Sequence, residues 1–291
     1  MDIFKTRQPD KELVSALSKR IQNLYTQFVR EFDGSGTYKE VRRLIKLGDI
    51  PAAIDLIEEA FEEGVNETAE LVQNTYKSYL VLLGTSLGVK LSIDITADPL
   101  LALIRSNRDT LMQRVKQGQR DATNRAVIDS YTNGTGVADA VRQSVGLSGA
   151  SMKAVHNYRD SLLRQNTAND TKMSDAEMER MVEAYRQKSY RHRGEVIGYA
   201  TAVRAFSEAQ QLAMDTAIEQ GEVDPQSVTR VWNRVADDRV RDAHNVMHGQ
   251  TAGIDESFTD GFGNELMYPG DPKAPIETTI NCRCWLTFKI K

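Results

Sequence analysis

Gly221-Glu-Val-Asp-Pro225-Gln-Ser-Val-Thr229-Arg-Val-Trp-Asn-Arg-Val235 is the stretch where the chain changes character. A helical pattern that starts near Ser174 finds its stop at Gly221, and Val223-Asp-Pro225 begins something different. Thr229 to Val235 alternates as a strand does, with Val231 and Val235 on the buried side. Beyond it come Gly249, Gly253, Gly261, Gly263, Pro269, Gly270, Pro272 and Pro275, a density of breakers that excludes long helices. Residues 238–248 fit a short helix, and Cys284-Trp-Leu-Thr-Phe-Lys-Ile290 fits a closing strand.

Upstream, the pattern is helical. Leu13, Leu17, Ile21, Leu24, Tyr25 and Phe28 recur at steps of three and four, which predicts a helix over 10–33. Asp33-Gly-Ser-Gly-Thr37 breaks it. Short helices are expected at 37–47 and from Pro51 to Glu63, with an interruption at Gly64 to Asn66 and a further helix over 67–90. That last segment carries Leu80, Val81, Leu82, Leu83, Leu87 and Val89, apolar nearly all round, as in the centre of a bundle. Asp98-Pro99 opens a helix to about Tyr131. Asn133-Gly-Thr-Gly136 closes it, and residues 137–165 divide into two helices at Ser148-Gly-Ala. After the polar linker Asn166 to Lys172, Ser174-Asp-Ala-Glu177 is a capping box. The helix it starts runs to Gln220, with Gly194 or Gly198 as the place for a break.

The fold class that follows is mainly α: a long-helix N-terminal body with a small C-terminal α+β module. Its parts are a helical body over 1–170, a long connecting helix over 171–222, and the module over 223–291.

Bulk composition limits the function classes. The chain has 291 residues, 40% hydrophobic and 27% charged, with net charge −4. That is an ordinary soluble balance with no global basic face for gripping polyanions. The N-terminal Met1-Asp-Ile-Phe-Lys-Thr-Arg lacks the apolar core of a signal peptide, and no run of about 18 apolar residues suggests a membrane span. Two cysteines one residue apart rarely pair with each other, so a reducing, cytosolic place of synthesis is expected.

The chemically capable residues gather at the C-terminal end. They are Trp232-Asn-Arg-Val-Ala-Asp-Asp-Arg-Val-Arg-Asp-Ala-His244-Asn-Val-Met-His248-Gly249 and Glu277-Thr-Thr-Ile-Asn-Cys282-Arg-Cys284-Trp285. His244 and His248, four apart, share a face if helical. Cys282 and Cys284, two apart, share a side if on a strand. Three readings stand open. The four make a zinc site, or the thiols are small packed hydrophobes beside a hydrogen-bonded His244, or a cysteine and a histidine form a catalytic dyad. Arg239, Arg241 and Arg283, interleaved with Asp237, Asp238 and Asp242, fit a salt-bridge network or a phosphate grip. Trp232 and Trp285 are expected to anchor the module's core. His156 and His192 stand alone.

Taken in order, Asp237-Asp-Arg-Val-Arg-Asp-Ala-His244, Gly249, Phe258, Tyr268-Pro-Gly-Asp-Pro272, Ala274-Pro275 and Ile280-Asn281-Cys282-Arg283-Cys284 resemble the C-terminal domain of Mu-F-type phage head morphogenesis proteins, also called minor head or minor capsid proteins. Arg193-Gly-Glu-Val-Ile-Gly-Tyr-Ala-Thr-Ala-Val-Arg204 resembles the segment preceding that domain. The first 170 residues match only in being long and helical. The resemblance implies a low-copy virion component made in the bacterial cytoplasm and placed in the head interior. Its partners would be the portal protein and the capsid interior or scaffold, with packaged double-stranded DNA nearby, and its role head assembly or genome delivery. It implies no catalytic activity. Some relatives have Cys-x-x-Cys where this chain has Arg241 and His244, a variant that looks like a zinc site. That likeness supports zinc at His244, Cys282 and Cys284, with His248, Asp237 or Glu277 as the fourth donor.

The competing reading is a C-terminal nuclease or toxin-like enzyme using His244 with Arg239 and Arg241. A third is a DNA-contacting protein packaged with the genome, against which the net charge argues.

Overall fold

A computed structural model describes residues 4–5, 11–32, 34–87, 98–133, 136–168, 173–236 and 240–290. The elements run β1 (Phe4–Lys5), α1 (Lys11–Phe32), α2 (Gly36–Lys46), α3 (Ile50–Leu87), α4 (Asp98–Asn133), α5 (Val137–Ser144), α6 (Gly149–Ala168) and α7 (Asp175–Glu219). They continue with a 3₁₀ turn (Pro225–Ser227), β2 (Val228–Asn233), α8 (Asp242–Asn245), β3 (Thr251–Ala252), β4 (Phe258–Thr259), β5 (Glu265–Leu266), α9 (Ile276–Thr279) and β6 (Trp285–Ile290). The chain is mainly α, with a small C-terminal α+β part. Two compact units divide it: one of Gln22–Glu67 with Leu111–Glu195, the other of Met1–Ile21 with Thr68–Thr110 and Val196–Lys291.

The first unit is helical throughout. Its apolar residues fall at helical spacing, so Tyr25, Val29 and Phe32 of α1 bury one face together with Ile57, Phe61 and Val65 of α3. Phe28 and Phe61 meet at 4.6 Å between ring centres. The turn between α5 and α6 is the most constrained point. Gly146 has φ +80, and a Cβ there would lie 2.7 Å from both methyls of Val29, so only glycine fits. Buried side chains claim three of the turn's backbone groups, and Leu147 N–H is taken by Ser144 O at 3.0 Å. Tyr25 Oη donates to Gly146 O (2.8 Å), Gly146 N–H donates to Gln119 Oε1 (2.9 Å), and Arg193 donates to Leu147 O and to Val115 O. Such satisfaction is what allows a turn to be buried at all.

Two expected breaks do not occur. α3 is continuous from Ile50 to Leu87, through Gly64 to Asn66, and α7 is continuous through Gly194 and Gly198. At Gly64 a Cβ would make only ordinary contact with Phe28, 3.5 Å from Cγ and Cδ2, whereas at Gly194 one would stand 2.9 Å from Tyr25 Cδ1. Gly194 serves close packing inside its helix, and in both helices tertiary burial outweighs the roughly 1 kcal/mol that an interior glycine costs. The capping box is formed: Glu177 N–H donates to Ser174 Oγ, and Ser174 N–H donates to the Glu177 carboxylate. The break at Ser148-Gly-Ala also falls where expected, between α5 and α6. Leu80 is buried as expected of a central helix. The side chains of Val81, Leu82, Leu83 and Leu87, and all of Val89, lie outside the described residues.

The second unit carries a four-stranded sheet of order β1-β6-β2-β3 and a two-stranded β4-β5 hairpin. β2 and β6 pair antiparallel along their whole length, from Val228↔Ile290 to Asn233↔Trp285. The face that packs on the core carries Val228, Arg230 and Trp232. Val231 is buried on the opposite face and Val235 lies past the strand, so the alternation is real but its phase is set by Trp232. Trp232, Met247, Phe258, Leu266, Cys282, Cys284, Leu286 and Phe288 make the core with Met214 and Ala217 of α7. Arg230 is wholly buried on this face. It donates to Gly253 O (2.9 Å), Met267 O (2.7 Å), Glu256 O and Gln211 Oε1 (3.3 Å), and its guanidinium covers the Phe258 ring.

A second buried polar knot ties α4, α7 and the loop after β5 together. Glu208 accepts from Arg204 Nε (2.8 Å), from Tyr268 Oη (2.9 Å) and from Asn107. Gly270, at φ +85, brings that loop against Arg204, where a Cβ would stand 3.1 Å from Arg204 Cβ. Among the described residues, no helix is long and apolar enough to cross a membrane.

Candidate functional site

Three ligand-type side chains converge in the second unit's core. His244 is the third residue of the one-turn helix α8, and its backbone N–H is accepted by Arg241 O at 2.9 Å. The chain returns to it through α9, whose last turn is followed by Asn281 at φ 54. Asparagine tolerates that left-handed conformation better than most residues. The reversal at Asn281 delivers Cys282 and Cys284 to the same imidazole. Both Sγ atoms lie 3.6 Å from His244 Nδ1, and the three donor atoms fall within 4.8 Å of one another. All three residues are buried.

The walls are aromatic and buried. Trp232 stands edge-on to His244 at 6.1 Å and to Phe258 at 5.3 Å. The two thiols share charge unevenly. The hydrogen bond between them pulls the Cys284 thiol below its usual range, with His244 adding to the effect against burial. The same bond, with burial, pushes Cys282 well above it.

The set has the donors a borderline cation takes. With about 2.3 Å for a zinc–sulfur bond and about 2.0–2.1 Å for a zinc–nitrogen bond, a tetrahedral angle separates nitrogen from sulfur by about 3.6 Å. That matches the observed spacing. The chemistry is Cys2His, and the cation position would lie on the Nδ1 side of the ring. His244 Nε2 is buried and finds no partner among the described residues, so the outer hydrogen bond that usually orients a ligating imidazole is not supplied there.

The other residues singled out by sequence take different places. His248 lies in the turn after α8, exposed and outside the group, because the helix ends at Asn245 and the four-residue spacing no longer sets a shared face. Glu277 is exposed on α9 and is also outside it. Asp237, Asp238 and Arg239 lie outside the described residues. Gly249 has φ +84 and donates its N–H to Trp232 O at 2.9 Å, tying the turn after α8 to β2. Arg283 is half-buried between the two cysteines. Arg241 donates from its guanidinium to Ile280 O. The cysteines precede β6 rather than lying on it, so their convergence comes from the Asn281 turn and not from strand pairing. His156, which stood alone in sequence, is 2.6 Å from Asp129 through Nδ1, and His192 is 3.5 Å from Glu195.

Sequence reasoning missed Arg230 and the Glu208 knot. Tyr268 and Gly270 both lie in the Tyr-Pro-Gly-Asp-Pro segment, but nothing in the linear pattern tells that its tyrosine reaches a glutamate 60 positions upstream. Asp271 in the same segment holds the loop by accepting from Met267 N–H (2.8 Å) and Lys273 N–H (2.9 Å).

A family profile described as Phage Mu protein F like protein matches residues 108–287, well over half of the chain. Comparison with curated proteins and with solved structures gives no match. The matched span begins far upstream of Arg193 and takes in most of α4, all of α5, α6 and α7, and the segment that carries the His-Cys-Cys group.

Proposed function

Because the chain belongs to the Phage Mu protein F like family, a family of phage head morphogenesis proteins, we propose that it is a minor head protein, present in few copies per particle. It associates with the portal protein and the inner capsid surface and assists assembly or genome delivery. Its synthesis belongs in the host cytoplasm and its final place inside the head. The family match carries this reading. The structure adds helices of 36 to 45 residues in α3, α4 and α7, an investment in long surfaces of the kind that subunit contacts need. With net charge −4, the chain would lie near packaged DNA without gripping it strongly.

The role assigned to the His244–Cys282–Cys284 group is structural zinc. Bound there, the ion would clip α8 to the turn before β6 and neutralise the thiolates in a small module with little regular structure of its own. His244, Cys282 and Cys284 supply three donors. Burial of His244 and commitment of Arg241 to a carbonyl weigh against the nuclease reading, which needs both groups open to a phosphodiester.

The test of the functional reading is quantitative mass spectrometry and cross-linking on purified heads. A copy number far below that of the shell protein, with cross-links to the portal, is expected. Absence from particles, or a copy number equal to the shell protein's, would overturn it.

A further inference from the structure

We propose that Arg241 is the positioning residue of the His244–Cys282–Cys284 centre, holding the imidazole with its backbone and the thiol turn with its side chain. The proposal rests on the zinc reading above and names what presets that site.

Two independent contacts carry it. Arg241 is the N-cap of α8, and its carbonyl accepts from His244 N–H at 2.9 Å and Asn245 N–H at 3.0 Å. No side chain caps this helix, so the Arg241 backbone sets the first turn and with it the direction of the His244 ring. Its guanidinium crosses to the other half of the site and donates to Ile280 O. Ile280 is the C-cap of α9, directly before the left-handed Asn281 and then Cys282. The carbonyl it holds is therefore the last fixed point before the reversal that aims both thiols. One residue thus joins segments 39 positions apart in sequence at the two places that determine donor geometry.

Arginine suits the task and lysine suits it less. A planar guanidinium spreads several donors in a fixed fork and loses little freedom per bond made, whereas an ammonium is a strongly hydrated point charge on a flexible stem. Arg241 is half-buried, and among the described residues no carboxylate pairs with it within 4 Å, so its guanidinium is committed to the Ile280 carbonyl. Neither the salt-bridge network nor the phosphate grip suggested by sequence accounts for a guanidinium turned onto Ile280 O.

The experiment uses the full-length chain and its Arg241→Met and Arg241→Lys variants. Each is stripped of metal under reducing conditions, checked for native helical circular dichroism, and titrated with zinc against a chromophoric chelator. Each is also titrated with cobalt, read by the thiolate-to-cobalt charge-transfer bands. Loss of an outer-sphere partner costs about 10–100-fold in metal affinity. The native chain is expected to bind one zinc. Arg241→Met should bind it about 10–100-fold more weakly, with altered cobalt bands, and Arg241→Lys should fall between the two. If Arg241→Met does not fold, Arg241→Lys decides alone, and cobalt bands and affinity equal to the native chain's would overturn the proposal. Native-like affinity and bands in Arg241→Met would likewise overturn it while leaving the zinc reading intact. A native chain that takes up neither zinc nor cobalt would remove the zinc reading and this proposal together.

Discussion

Replacing Arg230 with methionine is the most demanding test of how the C-terminal part is held. The side chain is wholly buried on β2 and serves Gly253 O, Glu256 O, Met267 O and Gln211 Oε1 at once. Methionine keeps the apolar stem and removes every donor. Three part-buried backbone carbonyls then lose a charged partner, Gly253 O keeping only Glu256 N–H at 3.4 Å, and each loss costs on the order of 1 kcal/mol. Loss of the guanidinium contact with Phe258 adds about 0.5–1 kcal/mol. Relief from desolvating the guanidinium works the other way, since burial alone already draws its pKa down. A net loss of about 3 kcal/mol is expected. At about 2–4 °C per kcal/mol, this lowers the transition by about 6–12 °C. The chain's two tryptophans are Trp232 and Trp285, so intrinsic fluorescence reports on this part, while far-ultraviolet circular dichroism is dominated by the long helices. The fluorescence transition should fall by that amount. A fluorescence transition within 2 °C of native would refute the reasoning, showing that those carbonyls find other partners at little cost.

Three further outcomes follow from contacts elsewhere in the chain. Gly146→Ala places a methyl into Val29 and forces a left-handed alanine, so a loss of about 2–4 kcal/mol is expected in denaturant unfolding followed by circular dichroism. Tyr268→Phe removes a donor to the buried Glu208 and should cost about 1–2 kcal/mol, with the larger change in tryptophan fluorescence. For Asp260, burial opposes the charged form. Hydrogen bonds from the Asn264 side chain and N–H, from Phe262 N–H and from Thr278 more than offset it, so the carboxyl titrates below its usual range. A depressed folded pKa contributes stability that is complete above the unfolded pKa near 4 and lost as pH falls through the folded value. Asp260→Asn should therefore destabilise the chain at pH 7 and flatten its loss of stability below about pH 4. An unchanged acid limb in chemical denaturation series would contradict this.

Legibility in the sequence depended on whether a signal is local. The capping box at Ser174 and Glu177, the stop at Gly221 and the joint at Ser148-Gly149 are local, and each sits where the pattern puts it. Gly64 and Gly194 misled: at Gly194 a glycine that breaks a helix and one that admits a neighbouring ring look alike until the neighbour is known, and at Gly64 packing of the surrounding helix overrides the local signal. The sheet was legible as two strands but not in phase, since an arginine at a core-facing position hides the alternation. At the site, the gathering of His244, Cys282 and Cys284 was legible as rare residues collected in one segment. The exclusion of His248 was not, because it depends on α8 ending one turn after it begins. Arg241 was legible as a charge and only the fold shows its reach to Ile280.

The most direct measurement is the metal content of the full-length chain, purified without added metal and assayed by elemental mass spectrometry beside Cys282→Ser and His244→Ala. The account predicts close to one zinc per native chain and a strong loss in both variants. Metal-free native protein, folded and with both thiols titratable, would contradict it and make the pair a packed feature of the core.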